Sequence, residues 1–213
     1  MRLHSYFRSS AAFRVRIALA LKGLPFDYVP VHLLKNEQTA SGFAALSSSR
    51  LVPLLETDDG HALSQSLAIV EYLDETHPQP PLLPADAAGR ARVRALALDV
   101  ACEIHPLNNL RVLRFLVHEL KLSEADKMRW IHHWIGEGLA AVERQLAGHP
   151  GTGRFCHGDT PTLADLTLVP QVFNAQRFDT PLDHVPTVRR VFDACMQLEA
   201  FRAAEPSACP DAA

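Results

Sequence analysis

The segment His77-Pro78-Gln79-Pro80-Pro81-Leu82-Leu83-Pro84 constrains this chain more than any other. Its four prolines cannot continue a helix, so the chain passes through it as a stiff, extended linker. The patterns on its two sides differ. Strand and helix signals alternate before it, whereas strand signals nearly vanish after it. A length of 213 residues admits one large domain or two small ones. The prolines decide for two: an α/β domain over residues 1–80 and an all-helical domain over 86–213.

Within the first part, Leu3 to Tyr6 reads as a strand and Ser10 to Lys22 as a helix with Phe13, Ile17, Ala18 and Leu21 on one face. Gly23 followed by Pro25 ends that helix. Phe26 to Leu33 is a second strand, and a short helical segment lies around Gly42 to Leu46. Val52 to Glu56 and Ala62-Leu63 flank Asp58-Asp59-Gly60 as a hairpin, and Ser66 to His77 is a helix. The order is βαβ, a connecting helix, then ββα. In the second part a helical pattern over residues 86–121 breaks at His105-Pro106, because Pro106 cannot donate to the carbonyl of Cys102. Further helices run from Ser123 to Leu146, from Thr162-Leu163-Ala164-Asp165 onward, and from Thr187 to Phe201. The Pro- and Ala-rich tail after Glu205 reads as a frayed end.

Composition narrows the function by exclusion. A net charge of -3 is too small to imply a nucleic-acid or polyanion partner. No apolar run reaches membrane-spanning length, and Arg8, Arg14 and Arg16 interrupt any signal-peptide core. Cys102, Cys156, Cys195 and Cys209 are widely spaced without a C-x-x-C pair, which suits reduced thiols in a cytoplasmic protein. His132 and His133 are adjacent on a helix, point to different faces and lack a third ligand at suitable spacing, so no metal is expected.

The run Arg8-Ser9-Ser10-Ala11-Ala12-Phe13-Arg14-Val15-Arg16-Ile17-Ala18-Leu19 places two hydroxyls at a helix start. Unpaired N–H groups and the helix dipole attract an anion there, although a serine also simply caps a helix. Val52-Pro53, directly before a strand, is a candidate cis-proline turn that leaves the Val52 peptide able to pair with an extended peptide. Ser64-Gln65-Ser66 opens another helix as a second anion site, again with a plain cap as the simpler reading. Two such helix starts beside a strand edge suit a short peptide carrying a thiol and a carboxylate, which describes glutathione. Asp165, three residues after Thr162, is a helix-capping partner rather than a general base.

With these motifs and the all-helical second half, the whole chain resembles a glutathione transferase. The run from Arg8 to Leu19 resembles in particular the zeta class, the glutathione-dependent maleylacetoacetate and maleylpyruvate isomerases. That class usually has a cysteine where this chain has Ala11; the change removes a competing thiol and leaves the serines in place. The resemblance implies a thioredoxin-like N-terminal domain of order βαβαββα, an all-α C-terminal domain, and a homodimer in the cytoplasm.

It also implies roles for particular residues. Ser9 donates to the glutathione thiolate, with Ser10 and the N–H groups of Ala11 and Ala12 adding the field of the helix start. Val52, before Pro53, pairs with the cysteinyl backbone, and Gln65 and Ser66 hold the γ-glutamyl carboxylate. Gln38, His105 and Asn109 are further contacts. Arg8, Arg111 and Arg177 would bind a small dicarboxylate substrate, where negative charge develops during isomerisation; a solvated surface charge is the alternative for each. The implied reaction is cis–trans isomerisation of maleylpyruvate to fumarylpyruvate in aromatic degradation through gentisate. Maleylacetoacetate isomerisation in tyrosine breakdown, a glutathione-consuming transferase or dehalogenase, and a non-catalytic glutathione-binding scaffold remain as alternatives.

Overall fold

The computed structural model describes residues 1–212. The chain forms two compact units, one made of Met1–Pro81 together with the segment from Met196 onward, the other of Leu82–Cys195. In the first, β1 (Arg2–Ser5), α1 (Ser10–Leu21), β2 (Asp27–Pro30), α2 (Ser41–Leu46), β3 (Leu54–Glu56), β4 (Ala62–Ser64) and α3 (Ser66–Thr76) follow the expected βαβαββα order. The sheet order is β2-β1-β3-β4. Leu3 lies opposite Tyr28 in the parallel β1–β2 pair and opposite Leu55 in the antiparallel β1–β3 pair. Gly60 turns the β3–β4 hairpin at φ +89°, a conformation open to glycine at little cost.

Helix α1 departs from a one-faced amphipathic pattern. Every residue from Ala12 to Leu19 is buried, Arg14 and Arg16 included. A helix enclosed on all sides has no solvent face on which to place charge, so both guanidinium groups must find partners inside.

The second unit contains α4 (Ala87–Leu98), α5 (Leu110–His118), α6 (Glu124–Leu146), α7 (Leu163–Arg177) and most of α8 (Pro186–Met196). Between α4 and α5 the chain widens into a π-helical turn over Asp99–Ile104, then tightens into a 3-10 turn over His105–Asn108. The break expected at Pro106 is therefore spread over ten residues, from 99 to 108. Trp130 Nε1 donates to the Leu107 carbonyl at 2.8 Å and fixes that turn on α6.

The C-terminal segment corrects the expected domain boundary. The helix expected from Thr187 to Phe201 is broken after Met196, and a short α9 (Glu199–Ala203) belongs with the first unit. The tail beyond it is docked, not frayed. Arg16 Nε donates to the Ala204 carbonyl at 2.9 Å, and Tyr28 Oη donates to Asp211 Oδ1 at 2.6 Å. The all-helical domain consequently ends near Cys195 instead of extending to 213.

Candidate functional site

The turn Tyr6-Phe7-Arg8 delivers the chain from β1 into α1. Ser9 N–H closes it on the Tyr6 carbonyl at 2.8 Å. Ser9 is extended, with φ -74° and ψ 111°, and its Oγ accepts from Ala12 N–H at 3.2 Å. Ser9 is thus the N-cap, and that bond uses a lone pair of its hydroxyl while leaving the O–H to donate outward. The Ala12 N–H therefore acts at the helix start through its dipole and the Ser9 cap, not as an open donor. The N–H groups of Ser10 and Ala11 are left ahead of the first intrahelical bond, from Phe13 N–H to the Ser9 carbonyl. Ser10 is only 9% exposed, whereas Ser9 is half-buried, so Ser9 presents the accessible hydroxyl.

The second helix start is built across two elements. Gln65 sits at φ 69°, a left-handed conformation that costs a non-glycine residue about 1–3 kcal/mol and persists only where its surroundings impose it. Behind it, Ser66 is buried, and its Oγ accepts from Arg14 Nη1 at 3.1 Å. A buried cation from α1 therefore stands at the head of α3, adding to the dipole field for a carboxylate. Sequence reasoning assigned Arg14 no role at the site. The sequence offered only a charged residue inside a largely apolar helical run, and its burial shows in the packed unit alone.

Val52 and Pro53 are buried and joined by a cis peptide bond. Val52 packs in a cluster with Tyr6, Val31, Phe43 and Leu54. Because Ser9 bonds the Tyr6 carbonyl, the Val52 turn and the Ser9 corner rest on the same apolar support. Gln38 lies in a 3-10 turn over Glu37–Thr39, half-buried, and its buried Oε1 has no hydrogen-bond partner among the described residues. A buried amide oxygen without a donor is the group that an incoming ligand N–H would satisfy. Arg8 is exposed, with its guanidinium 4.9 Å from the Phe7 ring centroid.

The second unit carries the other candidates. Half-buried His105 opens the 3-10 turn, and Asn109 caps α5, its Oδ1 accepting from Arg111 N–H at 3.1 Å. This commits the Asn109 oxygen and leaves its amide N–H groups to donate. Arg111 is exposed in the first turn of α5. Arg177 is exposed at the end of α7, its guanidinium 4.8 Å from the Phe178 ring centroid.

Asp165 has a structural environment. Its Oδ2 accepts from Thr162 N–H at 2.7 Å and Thr162 Oγ1 at 2.9 Å, and its Oδ1 accepts from Cys156 N–H at 2.8 Å. All four cysteines are free, and burial pushes the Cys156 and Cys195 thiols above their ordinary range. They are poor candidates for a reactive thiolate. His132 Nε2 bonds the Phe178 carbonyl at 2.7 Å, and His133 packs on the Trp134 ring. Among the described residues no three His, Cys, Asp or Glu converge on a metal position, and no helix is long and apolar enough to cross a membrane. A cleft of about 760 Å³ bounded by Asp86, Arg92, Arg144, His149 and His157 contains none of the candidate residues. Its Arg92 is engaged by the Cys156 carbonyl and Thr152 Oγ1, so it braces the loop before α7.

Residues 8–76 match the model of the glutathione S-transferase N-terminal domain, and residues 135–203 that of the C-terminal domain. The chain is 50% identical over 213 residues to a maleylpyruvate isomerase of Ralstonia sp, covering 100% of both chains. It is similar to the holo structure of a maleylpyruvate isomerase described as a bacterial zeta-class glutathione S-transferase, with TM-score 0.97, 49% identity and 100% of both chains covered. A maleylacetoacetate isomerase from Anaeromyxobacter dehalogenans 2CP-1, solved with glutathione bound in its active site, matches with TM-score 0.90 and 49% identity over 100% of this chain and 97% of that one. The two helix starts, the cis-proline turn between them and these full-length likenesses place the chain in the glutathione S-transferase family, within its zeta class.

Proposed function

We propose that this protein catalyses the glutathione-dependent cis–trans isomerisation of maleylpyruvate to fumarylpyruvate. The observation that carries the reading is the Ser9 corner, where a half-buried hydroxyl is oriented by the Ala12 N–H and leaves its own proton to donate at the start of α1. The rest of the first unit fits the cofactor. The Gln65–Ser66 helix start, backed by Arg14, suits the γ-glutamyl carboxylate; the Val52 peptide suits the cysteinyl backbone; and Gln38 Oε1 needs a donor. When bound, glutathione supplies a thiolate that adds to the substrate's double bond and then departs, which permits rotation without consuming the cofactor.

The residues of this chain hold that sulfur as an anion and hold the charge that develops on the substrate. A free thiol titrates near 8.5, and donors at a helix start lower that value substantially. The Ser9 O–H and the Ser10 and Ala11 N–H groups are such donors. Arg8, adjacent to Ser9 in sequence, is assigned to the substrate carboxylate and keto oxygens, with Arg111 and Arg177 as further cations. His105 and Asn109 are assigned to glutathione, and Ser10 contributes chiefly through its backbone. We further infer a cytoplasmic homodimer. The resemblance supports the pairing, and four free cysteines support a reducing compartment.

Turnover of maleylpyruvate with substoichiometric glutathione tests the reaction. Complete conversion with glutathione unchanged is expected. Stoichiometric loss of glutathione would instead mean conjugation, and capture on a glutathione resin without turnover would mean a scaffold. Parallel rates on maleylacetoacetate rank the two substrates, and sedimentation measures the dimer.

A further inference from the structure

The turn that carries Ser9 is held from the C-terminal tail. Phe7 N–H donates to Asp211 Oδ2 at 3.1 Å, while the Phe7 carbonyl accepts from Arg16 Nη2 at 3.2 Å. Both backbone polar groups of one residue in a catalytic turn are thus fixed by charged side chains. Each of those side chains is fixed in turn. Asp211 Oδ1 accepts from Tyr28 Oη at 2.6 Å on β2. Arg16, 3% exposed, also donates from Nη1 to Ser5 Oγ at 3.1 Å and from Nε to the Ala204 carbonyl at 2.9 Å. The network spans β1, α1, β2 and the tail, all within the first unit. Nothing local explains its cost: a buried arginine and a carboxylate 204 residues from its partner are not needed to cap α1, which Ser9 already does.

We propose that Asp211 is a positioning residue, which with Arg16 clamps the Phe7 peptide and so sets the placement of Ser9 and Arg8. The proposal rests on the assignment of Ser9 as the thiolate donor. Ser9 N–H bonds the carbonyl of Tyr6, the residue next to the clamped one, so rotation of the Tyr6–Phe7–Arg8 turn carries the Ser9 hydroxyl with it. Gln65 and Ser66 make no hydrogen bond to the clamp, and Val52 meets the turn only through the apolar cluster that it shares with Tyr6 and Phe7. The tail therefore tunes activation of the sulfur without contributing to retention of the cofactor.

The test compares the parent with Asp211→Ala, Asp211→Asn and Tyr28→Phe. Four quantities are measured: amide exchange at Phe7, glutathione affinity by calorimetry, the titration of bound glutathione by thiolate absorbance, and kcat. In Asp211→Ala, Phe7 exchange quickens, the bound thiol titrates about half a unit to one unit higher, and kcat falls about three- to tenfold, with glutathione affinity within about twofold of the parent. Asp211→Asn, which keeps an acceptor and fills the same space, recovers most of this, and Tyr28→Phe gives a smaller shift of the same sign. A parental thiol titration and kcat in Asp211→Ala, with only a lower melting temperature, would overturn the proposal. If Asp211→Ala does not fold, a parental titration in Tyr28→Phe with fast Phe7 exchange overturns it equally. If the parent itself holds no bound thiolate, the Ser9 assignment fails, while the exchange result still reports on the clamp.

Discussion

Arg14 Nη1 donates to Ser66 Oγ at 3.1 Å, and both residues are buried. The bond links α1, whose start is assigned to the sulfur in the proposed function, to α3, whose start is assigned there to the carboxylate. It leaves the Ser66 hydroxyl proton to donate outward and places a positive charge behind the α3 N–H groups.

Arg14→Met should consequently weaken glutathione by about 1.5–3 kcal/mol, or roughly ten- to a hundredfold in Kd, the range for a charge-assisted hydrogen bond. Cysteinylglycine, which lacks the γ-glutamyl carboxylate, should bind parent and variant alike. Calorimetry with both ligands decides the matter. Equal weakening of the two would show that the substitution disturbs the first unit as a whole.

Ser9→Ala removes the accessible hydroxyl and the α1 cap together. The lost cap should lower stability by about 0.5–2 kcal/mol. At neutral pH kcat should fall roughly eight- to twenty-five-fold, since a thiol returned from one or two units below 8.5 to that value keeps only about 3% thiolate at pH 7. Glutathione Kd should change by less than about threefold, since the peptide contacts persist. The sign with pH is fixed: a bound thiol with a higher pKa moves the rising limb of kcat to higher pH, so the variant gains on the parent as pH increases. Superimposable pH–rate profiles would remove Ser9 from the role of activator.

Local chemistry made much of this legible in the chain itself. Gly23, at φ 63°, ends α1 where a left-handed residue is required, and the four prolines between 78 and 84 separate the sheet from the helical unit. Ser9, Ser123 and Asp165 stand at helix starts because short polar side chains there satisfy N–H groups a few residues away. What escaped was non-local. The bonds of Arg16 to Ala204 and of Phe7 to Asp211 cross 188 and 204 residues, and no periodicity near residue 211 signals them. A Pro-Ala tail has the composition of a loose end, yet side chains from β2 and α1 hold it. Arg14 was hidden for the opposite reason: it stands in an apolar helix whose burial on all sides only the packed unit reveals.

His4 and Arg2 on β1 hold the Glu56 carboxyl below its ordinary value of 4.5, chiefly through the His4 Nε2 hydrogen bond at 2.6 Å, which outweighs the opposing effect of burial, with the Arg2 guanidinium 3.2 Å away adding to it. A carboxylate whose folded pKa is depressed contributes stability above its unfolded pKa and loses it as pH falls through the folded value. Glu56→Gln should therefore be less stable than the parent at pH 7, and the gap should close as pH drops below about 4.5. Urea unfolding at several pH values measures this. A gap that stays constant into acid would mean that Glu56 acts through packing rather than charge.

Arg177 ends α7 with its guanidinium over the Phe178 ring, which orients the planar fork while leaving it exposed. A fork held this way binds a carboxylate through two parallel bonds, whereas a neutral electrophile offers it nothing to pair with. Arg177→Ala should raise KM for maleylpyruvate about tenfold or more, the loss expected for a charge-assisted contact. The rate of glutathione conjugation to a neutral aryl halide should stay close to that of the parent, because Ser9 and the cofactor contacts are untouched. Steady-state kinetics on the two substrates in the same preparation separate the cases. If both substrates lose equally, Arg177 supports the end of α7 and takes no part in binding the dicarboxylate.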